Sequence, residues 1–402
     1  MYEFFLRTVT GTYQQSIMED LQLTTFQFSF ISTTLFFAVY GMMQLPVGLI
    51  VNKIGLKKAL LMAMVSCGIG AISFSYAGEF WFALIYRMIM GFGASFGFIC
   101  VLVSIHQWMP VRFNAVFIGI SQFIGTLGPM VAAGPVDALT TALGLSWRGI
   151  FFGLFFAAVL MVVLVLFVVE NKTYEEGQYR VLHRPLPTIV LFRDLIKRIR
   201  PWYIAIFSAF IYFPIEYLSE NEGRAFLSLK GFNFTYASFM LTVAWLGYAL
   251  ANPLVGAISD IMKRRLPMMR ITAFLGVITL SGILYGQSEI FLFLCFFGLG
   301  ISASGITIGY ATIAEQFQSR FVPIAFGLNN AVITFFGALN APLIAFVLDC
   351  SLQGGCEVKV ENYLTAFSIL IGAVVVAWIL ATFFMKETFC KSTQEYTYLY
   401  AR

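Results

Sequence analysis

The sequence predicts an all-α integral membrane protein with twelve transmembrane helices in two pseudo-symmetric six-helix bundles. Three observations predict it. The chain of 402 residues is 59% hydrophobic and only 11% charged, where an ordinary soluble domain is about 25% charged. Its apolar residues fall into twelve runs near the roughly 20 residues that a helix needs to cross a bilayer. Two features recur at almost one offset: Gly48 and Gly256 lie 208 residues apart, and Gly91-Phe-Gly93 and Gly298-Leu-Gly300 lie 207 apart.

Composition excludes the soluble alternative. Aromatics make up 17% of the chain, with 44 Phe, more apolar surface than a soluble fold of this length hides from water. The net charge of +5 does not point to nucleic acid, because the cations sit in short loops between apolar runs, where they suit anionic headgroups. Cys67, Cys100 and Cys295 lie in apolar runs and read as packing residues. Cys350 and Cys356 share one polar loop, which leaves a disulfide open. With only His106 and His183, no cysteine–histidine spacing suggests zinc. No metal or cofactor is expected, no cleavable signal peptide is seen, and no catalytic triad points to an enzyme.

The spans follow in order as 1–18, 26–50, 59–77, 81–105, 113–135, 148–169, 202–218, 234–258, 267–286, 289–314, 322–347 and 362–385. The first is short and polar, and the expectation is that residues before Met1 complete it. The second and third flank a basic turn, Gly48-Leu-Ile-Val-Asn52-Lys53-Ile-Gly55-Leu-Lys57-Lys58. The eighth and ninth flank its echo, Gly256-Ala-Ile-Ser-Asp260-Ile-Met-Lys263-Arg264-Arg265. The longest loop divides the chain into a bundle over 1–169, a linker over 170–200, a bundle over 201–386 and a tail over 387–402. At the linker's end, Leu191, Phe192, Leu195, Ile196 and Ile199 share one helical face, and Arg193, Lys197, Arg198 and Arg200 the other, as in an interfacial helix. Of the 25 Lys and Arg, 19 fall in one set of loops and four (Arg148, Arg224, Lys230 and Lys359) in the opposite set. The basic set is therefore expected to be cytoplasmic, with both termini inside.

These residues resemble the major facilitator superfamily. Gly48…Asn52-Lys53-x-Gly55-x-Lys57-Lys58 resembles its loop 2–3 signature, with Asn52 where the family carries Asp and the acid retained at Asp260 in the second half. Arg87-x-x-x-Gly91-x-Gly93-Ala94 resembles its helix-4 motif, Gly125-x-x-Gly128-Pro129 part of its helix-5 motif, and Trp147-Arg148 also fits. The resemblance implies a secondary transporter whose halves rock about a central site near the bilayer midplane. It implies a gating role for Gly48, Asn52, Lys53, Gly55, Lys57, Lys58, Asp260, Arg264 and Arg265, and leaves the substrate open.

Charge inside the membrane is the main functional clue, since an Arg or Asp at a helix centre costs about 2.5–3.5 kcal/mol on insertion scales. Arg7 reads as an anion-binding cation. Glu3, four residues earlier, shares its helix face and reads as its orienting or proton-exchanging partner, with Gln14 on the same stripe. Arg87 reads as a second anion-binding group, or else as a structural partner of a carbonyl or carboxylate. Glu216 follows Pro214, where a locally broken helix is expected, and reads as a proton carrier. Glu220 and Glu222 read equally well as a solvated acidic loop. Tyr40, Gln122, Tyr212, Trp245 and Asn330 read as cavity-lining residues that orient a polar solute, with Gln44, Asn252, Asn329 and Asn340 as further candidates. The same side chains also serve as hydrogen-bonded links between helices.

The favoured reading is a proton-coupled symporter importing a small, polar, anionic solute across the inner membrane, working as a monomer on the proton gradient. The alternative is a proton-antiporting drug or metabolite exporter, towards which the glycine–proline motif leans. A non-transporting receptor is the third class, and the retained intramembrane charges speak against it.

Overall fold

The structure is a computed structural model that describes residues 1–108, 114–170, 198–317, 322–352 and 359–390. No strand occurs among the described residues. In the first half, α1 (Tyr2–Thr12) and α2 (Gln14–Leu21) make the first span. Next come α3 (Thr25–Ser29), a π turn (Phe30–Thr34), α4 (Leu35–Ile54), α5 (Leu56–Ser75), α6 (Phe80–Trp108), α7 (Asn114–Ala133), the short α8 (Pro135–Leu143) and α9 (Trp147–Val168). In the second half, α10 (Ile199–Glu220) leads through the short α11 (Gly223–Leu229) to α12 (Phe234–Met262). Then follow α13 (Leu266–Tyr285), α14 (Glu289–Ala303), α15 (Gly305–Glu315), α16 (Val322–Leu352) and α17 (Val360–Ile379).

Local chemistry sets several of these boundaries. Thr24 and Gln27 form a reciprocal capping box that starts α3, with bonds of 3.1 and 3.0 Å, which satisfies two otherwise orphaned donors. Asn233 caps α12 by accepting from the Tyr236 amide at 2.7 Å. Gly55 separates α4 from α5 at φ 85°, ψ 161°, a left-side conformation that only glycine adopts without strain. Pro214, expected to break its helix, does not: α10 runs through it unbroken to Glu220. The first span is instead the broken one, at Tyr13 (φ −105°, ψ 23°).

Among the described residues, ten helical runs are long and apolar enough to cross a membrane, and the first span and α7 are shorter. α9 is the least enclosed of the ten and α10 the most. α9 exposes Phe152, Phe156, Leu160, Val163 and Phe167, a row that water would not tolerate and lipid would. One apolar core gathers Leu6, Phe28, Phe74 and Phe151 in the first half, and another gathers Phe207, Trp245, Phe296 and Phe367 in the second. The halves meet where α4 packs on α16, α7 on α12, and α1 on α10. We call the end carrying the turns at Gly55 and Lys263 the basic face. The other end, carrying Asp20, Asp137 and Glu222, is the acidic face. The interfacial helix, most of the linker and the Cys350–Cys356 pairing lie outside the described residues, as does the tail from residue 391.

Of the two readings of Arg87, its surroundings fit the structural partner of backbone carbonyls and not an anion-binding group of the central cavity, which it does not line. It is fully buried. Its Nε donates to Ile31 O (2.8 Å), Nη2 to Ser32 O (2.7 Å) and Nη1 to Leu6 O (3.1 Å), and its guanidinium lies 4.6 Å from the Phe36 ring centroid. The π turn over Phe30–Thr34 disturbs the regular helical ladder, and the guanidinium fork takes up its carbonyls. Arg87 thus ties α6 to the π turn and to α1. We predict that Arg87→Leu lowers the melting temperature of the purified protein by several degrees, from the loss of charged hydrogen bonds each worth about 1.5–3 kcal/mol. Arg87→Lys should recover only part of it, because a point charge cannot reproduce the fork; an unshifted Arg87→Leu would remove the strut from this account.

Candidate functional site

The site is built by two helices from different halves. On the first span, Arg7 and Gly11 of α1 and Gln14 at the start of α2 repeat at helical spacing and form one stripe. On α10, Tyr212, Glu216 and Glu220 form another, four residues apart. The two stripes face each other. Arg7 Nη1 pairs with Glu216 Oε1 at 3.0 Å and Arg7 Nε with Glu220 Oε1 at 2.6 Å, with the carboxylate side chains 2% and 0% exposed. Arg7 Nη2 donates to the Tyr212 hydroxyl at 3.1 Å. The rings of Phe4 and Phe37 flank the guanidinium at 5.0 and 5.1 Å, close enough for cation–π attraction.

This pairing revises the sequence expectation. Arg7 takes its partners from the other half, not from Glu3 one turn earlier on its own helix. Glu3 turns instead towards Gly97 and Tyr40. Glu220 and Glu222 are not a solvated loop: both are buried. Gln14 donates to Glu222 Oε1, and the Tyr363 hydroxyl donates to Glu222 Oε2 at 2.7 Å. The close approach depends on Gly11, because a Cβ there would collide with the backbone of Glu220.

Beneath the cluster lies a cavity of ≈ 60 Å³. Arg7, Tyr40 and Gln122 line it from the first half, and Tyr212, Glu216, Trp245 and Asn330 from the second. Seven of the eight candidate solute-binding residues therefore meet at one place, and Arg87 is the exception. Sequence reasoning missed Tyr248 and Tyr310, which also line it; their signal was a tyrosine within an apolar run. Tyr212, Trp245 and Tyr248 form an aromatic corner with ring centroids 5.6–6.2 Å apart. Tyr310 donates to Asn330 Oδ1 at 3.0 Å. The buried Trp245 Nε1 has no hydrogen-bond acceptor among the described residues. The cavity has room for a few waters, far less than the roughly 300–1,000 Å³ of a drug-sized pocket.

Further links between the halves sit on the acidic side of this cavity. Asn221 bonds with Ser32 and Thr33 of the π turn, and Arg224 Nη2 pairs with Asp137 Oδ1 at 3.0 Å. Ser238 donates to Asp137 Oδ2 at 3.2 Å. At the basic face, Lys57 Nζ donates to Leu166 O at the end of α9 at 2.7 Å. Lys58 and Arg264 are exposed, and the surroundings of Gly48, Asn52 and Lys53 lie outside the described residues. Arg265 joins Asp260 (2.6 Å) and Glu315 (2.7 Å), while Glu387 accepts from the amides of Arg265 and Leu266 at 2.8 and 3.0 Å. These partners all belong to the second half.

The α1–α10 contact carries a prediction. Gly11→Val should push α1 from α10 and lengthen the distance between spin labels at Gln15→Cys and Leu229→Cys on the acidic face, measured by pulsed electron resonance. An unchanged distance distribution would show that the close approach is not needed.

The Major Facilitator Superfamily family model matches residues 1–220 and 223–394. A relative from Cupriavidus necator, described as "Probable sulfoacetate transporter SauU", is 23% identical over 267 residues, which cover 63% of this chain and 61% of that protein. The chain thus aligns with less than two thirds of that relative's length. In fold it is similar to a D-xylose–proton symporter, with TM-score 0.74 and 16% identity over 97% of this chain and 96% of that one. It is similar also to the nucleoside transporter NupG, with TM-score 0.75 and 13% identity over 95% and 98%. The basic turn at Gly55, the helical order and the match along both halves agree, and this chain belongs to the major facilitator superfamily, whose members here compared are transporters and not enzymes.

Proposed function

We propose that this transporter imports a small organic anion together with protons, with Arg7 as the anion-binding group and Glu216 and Glu220 as the proton-bearing pair. The observation that carries the reading is the placement of Arg7 in the cavity wall between two buried carboxylates of the opposite half. One guanidinium compensates one carboxylate, and the second charge is left in a low-dielectric site, where like charges resist ionising together. A proton compensates it. A protonated pair then loosens its hold on Arg7, and an anion takes the vacated donors. The free Trp245 Nε1–H supplies a further donor for an acceptor-rich solute, and Tyr40, Gln122, Tyr212 and Asn330 orient it. Glu3 is a further proton-exchanging candidate beside Tyr40.

The relative described as a probable sulfoacetate transporter supports a small anionic solute, and the structural neighbour described as a proton symporter supports proton coupling. One proton per monovalent anion cancels the voltage term of about 2.3 kcal/mol per charge per 100 mV, which leaves the pH gradient as the drive. The 19-to-4 distribution of cations supports a cytoplasmic basic face with both termini inside, in the inner membrane of a bacterial cell on this reading. The protein acts as a monomer without a cofactor, with bundles over 1–169 and 201–386 joined by the linker 170–200. The turns around Gly48–Lys58 and Asp260–Arg265 act as unequal cytoplasmic gates, the first lacking the acid. Proton-driven export remains the second reading, because Pro129 of the partial glycine–proline motif lines the cavity.

Reconstitution in liposomes tests both. With an acidic exterior, the protein should accumulate labelled sulfoacetate or a similar small carboxylate or sulfonate; expulsion of a dye by the same gradient would favour export. Arg7→Ala should reduce anion uptake at least about a hundredfold, in line with loss of a charged contact worth about 3 kcal/mol. Glu216→Gln should remove gradient-driven accumulation and spare anion exchange. Uptake that survives Arg7→Ala would sink the anion reading.

A further inference from the structure

We infer that Glu222 passes protons between the acidic face and the buried Arg7–Glu216–Glu220 cluster, an inference that rests on the proton-coupled reading above. Glu222 lies close in the chain to Glu220 of the cluster and lines a large opening. A cavity of ≈ 940 Å³ opens at the acidic face, lined by both halves and including Gln14, Glu19, Asp137, Trp147, Glu222 and Arg224. Three of these are carboxylates and one is a guanidinium. Arg224 is engaged by Asp137, so the vestibule carries excess negative charge, which raises the local concentration of protons and other cations.

Glu222 is 3% exposed and lies two residues beyond Glu220, so the two Cα atoms are at most about 7.6 Å apart. The stripe on the first span runs alongside: Arg7 meets Glu216 and Glu220, Gly11 backs onto Glu220, and Gln14 of α2 reaches Glu222. Two polar atoms aimed into this region have no hydrogen-bond partner among the described residues, Gln14 Oε1 and Arg224 Nε. Both belong to side chains more than nine-tenths buried, so the site holds unspent polar capacity of the kind that bound water or a hydronium satisfies. In the transfer, one proton leaves the Glu222 carboxyl for a Glu220 carboxylate, carried across intervening water. Glu222 is left as a carboxylate and is reprotonated from the vestibule. No other group changes charge.

The groups facing Glu222 are Gln14 on α2, Tyr217 on α10, Tyr363 on α17 and Asp349 on α16, with Arg224, Asp137 and Glu19 around the vestibule. Burial pushes its carboxyl up to about 7, against the hydrogen bonds from Tyr363 and Gln14 that hold it down. That range suits a group that both takes and gives protons near neutral pH.

Infrared spectroscopy of the purified full chain in detergent, with stopped-flow pH jumps, tests the relay without any solute. The cluster's carboxyl band is assigned by its loss in Glu216→Gln, and the relay's band by its loss in Glu222→Gln. In Glu222→Gln, protonation of the cluster after an acid jump should slow by at least roughly tenfold. In Tyr363→Phe, which removes a donor to the carboxylate and no charge, the midpoint of the Glu222 band should move to higher pH. If the wild-type cluster does not titrate at all, the proton-coupled reading itself fails. If it titrates and Glu222→Gln protonates at the wild-type rate, only the relay is overturned. Should Glu222→Gln not fold, Glu222→Asp takes its place: it keeps the charge and withdraws the carboxyl by one methylene, and a cluster protonated at the wild-type rate there overturns the relay.

Discussion

The structure depends on one buried cation held by two carboxylates across the boundary between its halves. Arg7, Glu216 and Glu220 are withdrawn from water, and desolvating charged groups costs several kcal/mol per ion unless their partners are well placed. Here the charges are close: ion pairs at 3.0 and 2.6 Å, a hydrogen bond to Tyr212, and two aromatic faces on the guanidinium. Removing one partner would strand a buried charge. The halves are therefore locked together at this level by electrostatics rather than by apolar contact, and a charge-changing event, unlike a change of shape, reaches the lock directly.

Other features read as supports for that lock. Gly11 brings α1 against the α10 backbone so that a side chain of ordinary length spans the gap. Arg87 binds a carbonyl of Leu6, the residue beside Arg7, and two carbonyls of the π turn. It thereby sets the depth of α1 from inside the first half. Asn221 then bonds the side chains of that same π turn from the second half. The irregular helix is the common anchor: a π turn costs regular hydrogen bonds, and here the lost regularity is spent on an intra-half strut and an inter-half contact.

The sequence makes the architecture legible because lipid imposes it. Span length, the bias of cations to one set of loops and the repeat offset each follow from the bilayer, and the helical order agrees with them. The cavity was legible for a related reason: polar residues such as Tyr40, Gln122, Tyr212 and Asn330 stand out in apolar runs. Pairing was not. Helical spacing reports neighbours on one helix, so it offered Glu3 to Arg7, whereas the partners at Glu216 and Glu220 lie more than two hundred residues away. Glu220-Asn221-Glu222 looked like a wet loop because its polarity is that of a loop. The approach of the first span, the π turn and α17 buries it. Arg87 and Arg7 were alike in sequence, both cations inside spans, and what separates them is whether backbone carbonyls or carboxylates lie within reach. Pro214 looked like a helix breaker, yet the helix continues through it, a local override that packing on all sides of α10 enforces.

The size of the central cavity constrains how the site works. At ≈ 60 Å³ it cannot hold an organic anion beside an Arg7 that is already saturated by two carboxylates. On the reading proposed above, occupancy by an anion and closure of the Arg7 lock would be alternatives, because they would compete for the same few guanidinium donors. Whatever freed those donors would also remove the α1–α10 ion pairs that join the halves at this level. Binding and opening would then draw on one set of contacts, with no separate signal between a binding site and a gate, and the small cavity would be the locked member of the pair.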